Sequence, residues 1–220
     1  MRVWLAAIMA AVLAACVYSS PATQYSDLRD AAVLVDTERG QGGGTVVGPN
    51  LVLTARHLQA FGPYTVTFHD GTVRQATEAW VSADDDAMLL RFDGEPFGPV
   101  MPVDCSPMTA GEPFWWIGQP EGMRWNLGNG YVSSVDTPDM DWELKDREVV
   151  VRASFAPGDS GAGIMSEAHK LRAIVAAIKL SALYETPYGP ELSFTQIGFV
   201  TPASSFCPAL RQLAEAVRWA

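Results

Sequence analysis

Histidine is scarce in this chain of 220 residues: there are three, His57, His69 and His169. Chemistry that needs an imidazole base is therefore confined to one of three places. Positive charge is also short. Fifteen Lys and Arg against 25 Asp and Glu leave a net charge of -10. Phosphate binding needs a basic patch and none is visible, which argues against nucleic acid as a partner. The acidity serves solubility instead. No low-complexity tract is present, nor a repeat at a period of about 20–50 residues, which excludes solenoids. No ligand-rich spacing supports a metal ion beside the acidic residues, and no cofactor is expected.

Long apolar runs are missing too. Val3 to Val12 is almost wholly apolar after Met1-Arg2, but a spanning helix takes about 20 residues. The segment reads as a secretory signal. Val12 and Cys16 occupy positions that would complete an ordinary small-residue cleavage site, so no clean one ends it. Leu13-Ala14-Ala15-Cys16 resembles the lipobox of bacterial lipoproteins, which implies cleavage before Cys16 and lipidation of its thiol. The alternative is an ordinary signal with an incidental cysteine. Residues 1–15 are expected to be the signal. Residues 16–29 should form a tether, because Val17 to Tyr25 is rich in Ser, Pro and Thr.

What remains is globular and strand-rich. Apolar residues make up 48% and charged residues 18%, with 19 Gly and 15 Pro spread as turn punctuation. Short β-branched or apolar segments recur at 32–35, 44–47, 51–54 and 64–68, separated by Gly48-Pro49-Asn50 and Asp70-Gly71. Their length and alternation suit strands joined as hairpins. A second set follows at 112–118, 130–133, 149–151, 163–165, 173–176 and 198–200. Closing each sheet removes exposed edges. The expected order is a strand-rich barrel over 30–98, a linker over 99–111, a second barrel over 112–203 and a helix over 204–220. In that helix Leu210, Leu213 and Val217 share a face, Ser204 or Ser205 caps the start, and Pro208 sits early.

Three short motifs carry the chemistry. Gly158-Asp159-Ser160-Gly161 supplies a hydroxyl, Leu53-Thr54-Ala55-Arg56-His57 an imidazole, and Asp86 before Leu89-Leu90-Arg91-Phe92 a carboxylate. A serine hydroxyl is a weak nucleophile and needs a histidine to take its proton. The histidine needs a carboxylate to fix its tautomer and stabilise the imidazolium. His69 and His169 lie in polar turn segments and fit that role poorly. Asp85 is the alternative to Asp86, since the run 84–86 is all aspartate; counting back from Leu89 favours Asp86. The chain order His, Asp, Ser is that of chymotrypsin and not of subtilisin or the α/β-hydrolases.

With those residues in place, the chain resembles a trypsin-like serine protease of the small bacterial type, related to the HtrA protease domain. Gly42-Gly43-Gly44-Thr45 through His57, and Ile117-Gly118-Gln119-Pro120, are similar to segments of that group. The likeness spans most of residues 30 to 203, and a chain stopping at Ala220 is expected to carry no PDZ domain. It implies an all-β fold of two six-stranded antiparallel β-barrels, chymotrypsin-like, with a C-terminal α-helix. It also implies an endopeptidase with His57 as base, Asp86 as orienting acid and Ser160 as nucleophile. Protein or peptide is then the substrate, and the N–H groups of Gly158 and Ser160 form the oxyanion hole. A catalytically silent binding protein of the same fold is the rival reading, against which the intact triad stands.

The resemblance bears on the cysteines as well. Leu58 and Ala156 replace two half-cystines of the animal enzymes. If Cys16 carries lipid, Cys105 and Cys207 remain, either as a pair or as two buried thiols. Trypsin joins its interdomain linker to the start of its C-terminal helix, which implies the pair. Asp159 lacks the new N-terminal amine that its counterpart meets in trypsin, so another partner is expected. For the substrate pocket the resemblance implies walls at Ser154, Ala176, Ile178 and Gly198. An uncharged Ser154 and a branched Ile178 point to cleavage after small or medium apolar residues, with a shallow unselective pocket as the alternative. Export to the periplasm or cell envelope, with a membrane anchor at Cys16, completes the expectation.

Overall fold

The structure is a computed structural model that describes residues 21–38, 40–61, 63–95, 98–136, 149–186 and 189–218. The signal segment and Cys16 lie outside them. Twelve strands close into two antiparallel barrels. β1 (Ala32–Thr37), β2 (Gly40–Gly48), β3 (Leu51–Thr54), β4 (Tyr64–Phe68), β5 (Val73–Val81) and β6 (Met88–Phe92) close in the order β1-β2-β3-β6-β5-β4. β7 (Pro113–Gly118), β8 (Asn126–Ser134), β9 (Val149–Arg152), β10 (Gly163–Met165), β11 (Leu171–Thr186) and β12 (Gly189–Pro202) close as β10-β11-β12-β9-β8-β7.

Alternation fills each barrel. Val33, Val35, Val66, Phe68, Leu90 and Phe92 take every second position of their strands and meet inside the first. Phe114, Trp116, Val151, Ile164, Val175 and Val200 do the same in the second. A third cluster unites the two halves: Leu53 and Leu89 from one, Ile117, Met165 and Ile174 from the other, with Phe206 from the C-terminal helix. The long β11–β12 hairpin extends beyond the segments that the sequence marked at 173–176 and 198–200. β5 also went unmarked, because its burial alternates weakly along VRQATEAWV.

Two terminal expectations need correction. The flexible tether expected over 16–29 is in part a packed element: Pro21–Ala31 is an α-helix. Leu28 is buried in the shared cluster and Tyr25 packs against it, so this segment has apolar area to gain by ordering. At the other end the helix is Ala203–Arg218, which places Ser204 and Ser205 inside the first turn and Pro208 in the second. Neither serine is the residue preceding the helix. Pro208 is exposed there. Among the described residues no helix is long and apolar enough to cross a membrane.

The linker is clamped twice. A disulfide joins Cys105 to Cys207 with Cα atoms 6.0 Å apart. Beside it Arg172, a nearly buried arginine of β11, donates to Glu112 Oε1 at 2.7 Å, to Ser106 Oγ at 2.8 Å and to the carbonyls of Ser106 and Pro107 at 3.0 and 2.9 Å. A buried guanidinium is tolerated because its donors are matched. Burial raises the Glu112 carboxyl, but its bonds to Arg172 and to the Thr109 N–H outweigh that and hold it below its ordinary value.

Candidate active site

His57 stands in the 3₁₀ turn Arg56–Phe61, directly after β3. The end of that strand is fixed by Thr54, whose buried hydroxyl donates to the Gly43 carbonyl at 2.7 Å. Asp86 arrives from the loop before β6 and grips the histidine twice. Its Oδ2 lies 2.7 Å from His57 Nδ1, and its Oδ1 accepts the His57 backbone N–H at 2.8 Å. With Nδ1 committed to the carboxylate, Nε2 is the ring nitrogen left to exchange a proton. Asp85, the neighbouring candidate, is buried and turned the other way, its carboxylate 3.4 Å from Ser82 Oγ. Asp86, which counting back from Leu89 favours, is thus the aspartate in contact with the His57 ring. His69 instead sits 3.5 Å from Asp30, edge-on to the Trp125 ring, and His169 occupies the Ser166–Lys170 turn.

Ser160 is held against the first barrel by its backbone. Its carbonyl accepts the Gly43 N–H at 2.7 Å, and the next residue, Gly161, donates to the Val175 carbonyl at 2.8 Å. The fit is close. A Cβ on Gly42 would meet Leu58 Cδ1 and the Ser160 carbonyl, each at 2.7 Å, and one on Gly161 would strike Gly43 O and Thr54 Oγ1. Leu58 follows His57 in the chain, so these contacts bring the serine loop to the histidine turn.

The loop before Ser160 has an unusual backbone. Gly158 has φ +102, a conformation that side chains rarely adopt, and a Cβ there would strike the Gln119 carbonyl. The Pro157 carbonyl accepts from Glu121 N at 2.7 Å. Because a trans peptide sets C=O and N–H on opposite sides, this bond turns the Gly158 N–H away from Glu121. Among the described residues no acceptor takes the N–H of Gly158 or Ser160. Two free donors beside a serine can serve an oxyanion. Gly158→Ala is expected to lower kcat by about 10²–10³ with little change in KM, since it would spoil that donor pair. Steady-state kinetics on a peptide substrate checks it.

Asp159 has partners that the sequence did not reveal. Its carboxylate, 1% exposed, accepts from Gln119 N and Ala156 N, each at 3.0 Å, and from the Trp116 indole. Burial pushes its carboxyl above the ordinary value, and the three donors offset only part of that. Gly118 leaves the space, for a Cβ there would collide with Asp159 Oδ1.

The four residues expected to wall the pocket fall in two places. Ile178 and Gly198 pair across β11 and β12, with Ala176 buried two residues earlier in β11. Ser154 does not join them. It is exposed and lines a hollow of about 460 Å³ with Asn129, Arg152 and Gln196. Phe155 packs on Gly198 instead, its ring 4.7 Å from that of Trp116. The signal was available: carried past β9, alternation puts Val151, Ala153 and Phe155 on the inner face and Ser154 on the outer. Among the described residues no group of three His, Cys, Asp or Glu could hold a metal ion.

Residues 42–174 match the trypsin-like peptidase domain. The chain belongs to that family. No curated protein matches this trypsin-like domain in sequence. Among solved structures it is similar to the HtrA-type protease AlgW with a tripeptide, at 22% identity and a TM-score of 0.69, covering 83% of this chain and 60% of that one. A variant of AlgW with a tripeptide gives 20%, 0.73, 88% and 63%. An inactive form of Rv3671c from M. tuberculosis gives 18%, 0.66, 90% and 96%. The chain thus spans about three fifths of the length of the two AlgW chains. At these identities the likeness establishes the fold.

Proposed function

We propose that this trypsin-like domain is a serine endopeptidase acting through an acyl-enzyme. His57 Nε2 takes the proton of Ser160 Oγ as the oxygen attacks the scissile carbonyl. The N–H groups of Gly158 and Ser160 receive the oxyanion. His57 then gives its proton to the leaving amine, and a water activated by the same nitrogen releases the acyl group. The observation that carries this reading is the double contact of Asp86 with His57, which sets ring orientation and tautomer together. A scaffold that only bound a partner would have no use for it. Turnover of a casein-type substrate by the native protein and by Ser160→Ala tests the proposal, alongside fluorophosphonate labelling. Folded native protein with no Ser160-dependent adduct would sink it.

Peptide is the substrate we infer, supported by the peptide ligands in the AlgW structures. The branched Ile178, paired with Gly198, is the side chain we infer to narrow the pocket to a small or medium apolar residue such as Ala or Val. Neither Ile178 nor Gly198 carries a charge to pair a cation, so burying Lys or Arg beside them would cost several kcal/mol. Library profiling should show cleavage after Ala and Val. Ile178→Gly should extend it to large apolar residues by at least about tenfold, the scale of a few methylenes in a pocket. Dominant cleavage after Arg or Lys would refute the assignment.

We also propose that the protein is exported and anchored in the cell envelope through lipid on Cys16. The support is the Leu13-Ala14-Ala15-Cys16 motif behind a short apolar run. Membrane fractions should hold the native protein, and Cys16→Ser should release it or block processing.

A further inference from the structure

A chain of hydrogen bonds runs from the N-terminal helix to the loop that shapes the oxyanion donors. The Tyr25 hydroxyl donates to the Trp125 carbonyl at 3.0 Å. Trp125 N donates to Gln119 Oε1 at 3.1 Å, and Gln119 N donates to Asp159 Oδ1 at 3.0 Å. Asp159 lies between Gly158 and Ser160. The same turn makes two further holds on that loop: Glu121 N takes the Pro157 carbonyl, and the Gln119 carbonyl is where a Cβ on Gly158 would strike.

This connecting turn is not at rest by itself. Glu121 and Trp125 have φ of 51 and 61, positive values that non-glycine residues adopt at a cost. Such conformations persist when surrounding contacts over-determine them. Here two of those contacts come from outside the second barrel. Tyr25 bonds the Trp125 carbonyl, and the His69 ring meets the Trp125 ring edge-on at 5.4 Å between centroids. Gln119 is fully buried, and its side-chain nitrogen has no acceptor among the described residues, so its placement is set by the Oε1 bond to Trp125.

We propose that the helix Pro21–Ala31 is a positioning element for the oxyanion hole, acting through Tyr25, Trp125, Gln119 and Asp159. This rests on the endopeptidase reading and deepens it. An internal tyrosine, and no newly cut chain end, then holds the Asp159 loop in its working shape. Tyr25 is a positioning residue and touches no reacting atom.

The test uses the full chain with Tyr25→Phe, which keeps the ring and removes the hydroxyl. We expect kcat to fall about tenfold with KM unchanged, part of what loss of an oxyanion donor costs. Affinity for a peptidyl trifluoromethyl ketone, whose adduct carries an oxyanion, should weaken by the same factor, while affinity for a product peptide stays constant. In an Asp159→Asn background, Tyr25→Phe should add no further loss. Hydrogen exchange provides a readout independent of turnover: segments 119–125 and 155–161 should exchange faster in Tyr25→Phe. Unaltered exchange there overturns the relay, as does equal weakening of ketone and product peptide. A native protein that forms no ketone adduct, with exchange still accelerated by Tyr25→Phe, would instead overturn the endopeptidase reading and keep the relay.

Discussion

Asp86→Asn is expected to lower kcat by about four orders of magnitude while leaving the fold intact, the scale known for this substitution in the chymotrypsin family. The aspartate accepts two donors, His57 Nδ1–H through Oδ2 and the His57 backbone N–H through Oδ1. An asparagine oriented to keep the backbone bond would turn its NH₂ toward Nδ1. The ring would then hold its proton on Nε2, where Ser160 needs an acceptor. The imidazolium formed during attack would also lose its neighbouring negative charge. Asp85→Asn serves as the comparison, since Asp85 faces Ser82 within its own loop. Its effect on kcat should be within a few-fold, with any loss appearing as stability. Steady-state kinetics on both variants decides the matter. A steep loss in Asp85→Asn and none in Asp86→Asn would move the acid by one position.

That register was legible because Asp86 sits at a fixed distance before an apolar strand. Leu89 pairs with Leu53 and Met88 with Thr54, which brings Asp86, two residues before β6, to the turn that carries His57. The barrel strands were legible wherever burial alternates. The long reach of β11 and β12 beyond Ile178 and Gly198 was not, because a hairpin projecting from a barrel need not alternate. Asp159 shows a different limit. Its donors are two backbone N–H groups and an indole brought from β7, about 40 residues away, and backbone groups carry no sequence signal. Ser154 is implied by the resemblance, which speaks to a position along the chain, whereas alternation past β9 puts its side chain on the outer face. The helix at Pro21–Ala31 was hidden by composition: Pro, Thr and Ser at its start outweighed Tyr25 and Leu28, the residues that dock it.

Breaking the Cys105–Cys207 disulfide should cost stability without cost to catalysis. The bond spans 102 residues, so opening it frees nearly half the chain in the unfolded state. For a loop of that size the chain-entropy account gives about 4–5 kcal/mol. Native-state relaxation would ordinarily reduce that figure. Here Arg172 already holds Asp104, Ser106 and Pro107 around the cysteine, and Leu171 N bonds the Pro102 carbonyl at 2.8 Å. The linker has little freedom to move when the sulfurs part, so the loss falls on the unfolded ensemble. The double variant Cys105→Ser with Cys207→Ala suits the test, because Cys207 is buried among Phe206 and Ala203 and a hydroxyl there would lack a partner. Denaturant unfolding should show the loss at an unchanged m-value corrected for the opened chain, and the melting temperature should drop by about 10–15 °C. kcat and KM should match those of the native protein, since the bond ties the linker to the C-terminal helix and the His57, Asp86 and Ser160 contacts involve neither. A loss below about 1 kcal/mol would mean that the unfolded chain is compact enough for the cross-link to constrain little.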